Sequence, residues 1–121
     1  MYQTRVAPGQ TVSRAEETLD IARAYLEIPA LQNLTLAETL ASRWRSLPVR
    51  ESLETFQEFN RRKLQANAHK LLGEIYSAMN DGEAGVRSFL QSREIYVAIP
   101  VPGGYANDLP GKVEAIDLLL G

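Results

Sequence analysis

Few side chains in this 121-residue chain are of a type that does chemistry. His69 is its one imidazole, set among apolar residues of a helical stretch. A histidine so placed packs or hydrogen-bonds more often than it catalyses. The chain has no cysteine, which removes thiol nucleophiles, thiolate zinc sites and disulfides together. Asp81 and Glu83 are two acids at a turn without the spacing of a metal loop. Gly103 and Gly104 stand in a proline-flanked loop that leads into no phosphate-binding motif, and neither HExxH nor GxSxG occurs. The sequence therefore points away from an enzyme and implies no cofactor and no metal.

The remaining polar candidates are suited to recognition. Arg43, Arg45 and Arg50 cluster at one junction, where they would suit phosphates or pair with Glu51, Glu54 and Glu58. The net charge is −2, the wrong sign for a free-standing reader of nucleic acid. Trp44 and Tyr105 are candidate interface anchors; at its spacing from Leu40 and Leu47, Trp44 also fits a core position.

The elements that must hold these residues are helical. Ser13 and Glu16 match a capping box, and Ala15, Leu19, Ala22 and Leu26 recur at helical spacing. Residues 1–12 read as an irregular arm, and Pro29 should stop the first helix near Glu27. Thr35 with Glu38 predicts a second cap, followed by Leu36, Leu40, Trp44 and Leu47 on one face. Pro48 marks a junction, and residues 49–79 read as one long helix with a bend or break expected near residues 60–63. Asn80, Asp81 and Gly82 form a turn before a fourth helix over residues 83–97. A Pro/Gly loop over residues 98–109 and a short final helix, capped by Asp108, complete the chain. No stretch alternates clearly as a strand. The expectation is a single all-α domain over residues 1–121, a small helical bundle of about five helices. With 45% hydrophobic residues it can bury a real core. The polar start lacks a signal-peptide layout and no apolar run reaches ~20 residues, so no membrane is implied and the cytoplasm is the default.

Residues 69–97 resemble a tetratricopeptide repeat, a helix-turn-helix hairpin with small residues where its helices approach and large ones wedged between. Leu72 and Gly73 stand at the leucine–small pair and Tyr76 at the first-helix aromatic. Asn80 and Asp81 fall at the turn, Gly85 and Ser92 at the small positions of the second helix, and Phe89 at its wedge. His69 replaces a common Trp, and the closing proline comes late, at Pro100. The resemblance covers about a quarter of the chain, with a faint earlier echo at Leu36 and Ala37. It implies a groove that binds another protein or peptide, at the positions of Asn67, Lys70, Glu74 and Ser77. A Lys there resembles part of a clamp for a peptide carboxylate; Glu74 stands where that clamp has an Asn. A lone hairpin cannot bury its own face, so flanking helices or a second copy must cover it.

A second segment, residues 36–40 followed by residues 48–53, is similar to the helix-turn-helix of GntR-type transcription regulators, with Arg43, Arg45 and Arg50 as its nucleic-acid contacts. The interval is about two residues too long, and helix follows where a β-wing belongs. The leading expectation is a non-catalytic protein-interaction module: an adaptor, a chaperone-like binder or a small subunit of an assembly. The alternatives are a DNA-binding regulator and a structural homo-oligomer in which the long helix pairs with its twin.

Overall fold

A computed structural model describes residues 8–45, 55–99 and 109–121, with side chains from residue 14 and, in the third helix, from residue 58. The fold is all-α, and no strand occurs among the described residues. Helix α1 spans Pro8–Glu27. It begins five residues before Ser13, so residues 8–12 are not an irregular arm and Ser13 lies inside the helix instead of capping it. Proline suits a first turn, where its missing N–H has no partner to lose. The helix stops where expected: Ile28 is extended (φ −86°, ψ 112°) ahead of Pro29, which opens a 3₁₀ turn over Pro29–Leu31.

Helix α2, Leu34–Ser42, is capped by Asn33 and not by Thr35. The Asn33 Oδ1 accepts the Leu36 N–H at 3.0 Å from an extended backbone (φ −150°). The earlier cap draws Thr35 into the helix, where its carbonyl accepts the Thr39 hydroxyl. The helix also ends earlier than its apolar spacing suggested, turning at Arg43 and Trp44.

Helix α3, Thr55–Ala78, runs unbroken past Asn60 and Lys63, without the expected break. Glu58 holds Arg61 and Arg62 one turn on, at 2.6 and 2.8 Å, so the charged run is a helix face laced by its own pairs. These two guanidinium groups hold the Glu58 carboxyl down at about 2. Whether the helix extends back to residue 49 lies outside the described residues. Its far end closes on Asn80 (φ 63°): the Asp81 N–H reaches the Tyr76 carbonyl and the Asn80 N–H that of Ser77. Asp81 then caps helix α4, Gly82–Ala98, by accepting the Ala84 N–H at 3.1 Å. Helix α5 is Leu109–Leu120; its proposed cap, Asp108, and the loop before it lie outside the described residues.

The helices pack as a row. Helices α1 and α2 pack on each other and on α3, α3 on α4, and α4 on α5. Two cores result, one on each side of α3. Ala15, Leu19 and Ala22 of α1 and Ala37 and Ala41 of α2 meet Leu64, Ala68, Leu71, Leu72 and Ile75. On the other side Phe59 and Ala66 meet Phe89, Tyr96, Ile99, Leu109 and Ile116. The large hydrophobics left in water fall at the two ends of the row. Ile21, Ile28 and Leu31 are at one end, and Val86, Leu90, Val97, Leu118 and Leu119 are on α4 and α5. Helix α3 shows none among its described side chains.

Candidate functional site: a cleft between alternate helices

The α3–α4 hairpin sets the geometry. A Cβ on Gly73 would stand 2.6 Å from the Phe89 ring, and one on Gly85 would stand 2.9 Å from Ser77 Oγ and 3.1 Å from the Gly73 carbonyl oxygen. Only glycine admits both contacts, because backbone and ring occupy the space a methyl needs. The buried Ser92 hydroxyl donates to the Ala66 carbonyl at 2.7 Å, and the Tyr96 hydroxyl donates to Asn67 Oδ1. Gly73, Gly85, Phe89 and Ser92 thus all lie at the contact between α3 and α4.

With α4 held so close, α3 forms the floor of an open cleft of about 580 Å³. One wall is α1, through Glu16, Asp20 and Arg23, which share a face at spacings of four and three. The other is α5, through Lys112 and Ala115. Leu64, Asn67, Lys70 and Leu71 come from the floor, and Tyr96 reaches in from α4. The lining therefore combines apolar side chains, carboxylates on the α1 wall and ammonium groups on floor and far wall. Lys70 has no ion pair among the described residues. Arg23 bridges to α3: one guanidinium nitrogen is 2.8 Å from Glu74 Oε2, and the other is 2.7 Å from Glu27 Oε1. The Glu74 carboxylate, and then Glu27, raise the Arg23 pKa above its ordinary value, and the guanidinium with its two carboxylates carries one net negative charge at this end of the wall.

The four groove residues separate. Asn67 and Lys70 line the cleft, Asn67 with its side-chain oxygen already engaged by Tyr96. Glu74 is spent on Arg23 and belongs to the α1–α3 contact. Ser77 turns toward α4, donating to the Gly73 carbonyl at 2.9 Å beside Gly85. The polar stripe of α1 escaped the sequence reading, although Glu16, Asp20 and Arg23 at helical spacing was its visible signal. Neither Tyr96 nor Lys112 had a motif to mark it.

The other candidates lie elsewhere. Trp44 packs beside the α1–α2–α3 core, its Nε1–H buried without an acceptor among the described residues. Arg43 and Arg45 are exposed beyond α2; Arg50 and Tyr105 lie outside the described residues. The backbone carbonyl of Arg45 accepts Gln65 Nε2 at 3.0 Å, which ties the end of α2 to α3. His69 and Tyr76 face a smaller hollow of about 330 Å³, with Arg45, Arg87 and Gln91. Burial pushes the His69 imidazole down against the pull of the Arg45 carbonyl, and burial and Glu38 push the Tyr76 phenol up. Among the described residues no helix is long and apolar enough to cross a membrane.

No family model matches the chain, and no curated protein or solved structure is significantly similar to it.

Proposed function

We propose that the chain is a non-catalytic protein-interaction module that receives a peptide segment of another protein in the cleft between α1, α3 and α5. The observation that carries this is the row itself. Alternate helices of a row share one face, and here that face is an open, mixed-charge trough whose floor presents Asn67 and Lys70 beside the buried Leu64 and Leu71. Such a lining suits an extended or helical segment that carries charges of both signs, and offers little to a small uncharged molecule. The hairpin over residues 69–97, with Gly73 and Gly85 in close contact, favours kinship with tetratricopeptide-type repeats, whose grooves are also lined by alternate helices. A carboxylate clamp is not part of this proposal, because Glu74 is committed to Arg23.

Peptide display against the immobilised chain tests the proposal. Enriched sequences should bind the wild type and lose at least tenfold in affinity for Lys70→Glu, while Arg43→Glu, outside the cleft, leaves binding intact. If no sequence enriches, or if Lys70→Glu binds as well as the wild type, the cleft is not the binding site.

A further inference from the structure

The smaller hollow of about 330 Å³ lies between α3 and α4 at the end of α2 and shares no lining residue with the cleft. Helical spacing builds its two sides. His69, Leu72 and Tyr76, three and four apart, come from α3, and Ala84, Ser88 and Gln91, four and three apart, come from α4. Leu72 and Ala84 are buried and close its base. The rest of the lining is two guanidinium groups on different elements, Arg45 beyond α2 and Arg87 on α4. Two α3 side chains anchor Arg45 by its backbone: Gln65 Nε2 donates to its carbonyl at 3.0 Å, and the His69 imidazole donates to the same carbonyl. The Arg45 charge is felt at both the His69 imidazole and the Tyr76 phenol, so it stands near the α3 side. Among the described residues the Arg45 side chain has no ion pair. Arg87 has a loose one, 3.7 Å from Glu83 with both side chains mostly in water, which opens at little cost. Among the described residues no carboxylate lines the hollow. Three stand around it: Glu83, Glu38, which accepts from the Tyr76 hydroxyl, and Asp81, which caps α4 through the Ala84 N–H.

We propose that this hollow binds a phosphate monoester, with Arg45 and Arg87 on the phosphate, Ser88 and Gln91 as neutral donors, and the organic body against Leu72 and the two rings. Charge decides the ligand. Guanidinium groups pair with phosphate oxygens two at a time. Two of them bring two positive charges, and a monoester carries about −1.5 to −2 at neutral pH, where a carboxylate carries only one. Size agrees, because ligand sites run from roughly 300 to 1,000 Å³ and this hollow is at the small end, room for one phosphorylated group. The ester is either a free molecule or a phosphorylated side chain of another protein, and the recognised chemistry is the same. With no lining residue in common, this inference stands apart from the peptide-binding proposal.

Titration of the full chain with phenyl phosphate at low salt, followed by amide chemical shifts, tests it. The wild type should bind with a Kd of about 1 mM or tighter, and benzoate, with the same ring and one charge, at least tenfold more weakly. Arg45→Gln and, independently, Arg87→Gln should each weaken phenyl phosphate at least tenfold with unchanged helix content by circular dichroism. Arg43→Gln, exposed outside the hollow, and Lys70→Gln, in the cleft, should leave it unchanged. A phosphotyrosine peptide that binds at least tenfold tighter than phenyl phosphate assigns the ester to a protein, and equal binding assigns it to a free molecule; both uphold the site. No saturation below about 10 mM overturns the proposal. So do equal affinities for phenyl phosphate and benzoate, arginine variants that bind like the wild type, or a loss with Arg43→Gln as large as with Arg45→Gln.

Discussion

Replacing Gly73 by Ala should destabilise the fold although alanine is the better helix former. The new Cβ would lie 2.6, 2.7 and 2.9 Å from three atoms of the Phe89 ring, against an optimum of about 3.5–4.0 Å between carbons. Phe89 is 4% exposed and wedged against α3, so its ring must retreat by about 1 Å into a filled core. Overpacking of this kind costs about 1–3 kcal/mol, and the alanine returns about 1 kcal/mol of helix propensity. The net expectation is a loss of about 1 kcal/mol at mid-range and about 2 kcal/mol at most, or about 4 °C in Tm per kcal/mol for a chain of this size. The chain carries its own control. A Cβ on Gly111, in α5, would meet nothing within 4 Å, so Gly111→Ala should raise stability by up to about 1 kcal/mol. Urea and thermal unfolding followed by far-UV circular dichroism read both variants. Adding Phe89→Leu to Gly73→Ala should cost less than the two single losses combined, by at least about 0.5 kcal/mol, because the smaller side chain vacates the contested space. If Gly73→Ala proves as stable as the wild type, or if the double variant is simply additive, the close packing of this hairpin is not what glycine is there to permit.

Two further perturbations read other contacts. His69 is held below its ordinary pKa of 6.5, so between the folded and unfolded values the unfolded chain binds more protons. Stability should therefore hold above about pH 6.5 and fall as the pH drops below it, and His69→Gln should flatten that slope between pH 7 and 5; an equal slope in both proteins would remove the explanation. Ser92→Ala deletes the buried hydroxyl that donates to Ala66 and should cost about 1 kcal/mol with an unchanged denaturant m-value, so a neutral substitution would mean that bond adds nothing net.

The sequence made most of the helices legible because their apolar residues recur at one period and their ends carry specific punctuation. Pro29 and the Asn80–Asp81 turn act locally, and both stand where their chemistry placed them. The caps at Ser13 and Thr35 misled, because a capping box is a pattern of two side chains and the backbone decides whether it is used. Asn33, already extended after the 3₁₀ turn, reached the free N–H groups of α2 first. The charged run at Arg61, Arg62 and Lys63 suggested a break because it interrupts the apolar rhythm. Glu58 pairs with the first two, and the Lys63 ammonium stands 5.7 Å from the centre of the Phe59 ring, so the run is a stable face of an intact helix. The cleft was only half visible. Asn67 and Lys70 were found through a hairpin resemblance, whereas the α1 wall depends on how α1 lies across α3. Arg23 and Glu74 pair across that crossing and are 51 residues apart, a pairing no local pattern announces.

The row arrangement decides how a change in one helix reaches the cleft. In a closed bundle every helix touches the common core, and a change at one surface is felt at the others. Here the α1–α2 layer meets α3, and α5 meets α4, so strain introduced at α5 must pass through the α3–α4 hairpin to reach the α1 wall. That hairpin is the most tightly interlocked part of the structure, with glycine on both helices and buried hydrogen bonds from Ser92 and Tyr96 to α3. Helix α5 is itself the far wall of the cleft, so the hairpin that ties α4 to α3 sets how far α5 stands from the α1 wall. Gly73→Ala, which drives the Phe89 ring away from α3, should therefore weaken peptide capture as well as stability, and an unchanged affinity in a destabilised variant would mean that the hairpin does not set the width of the cleft.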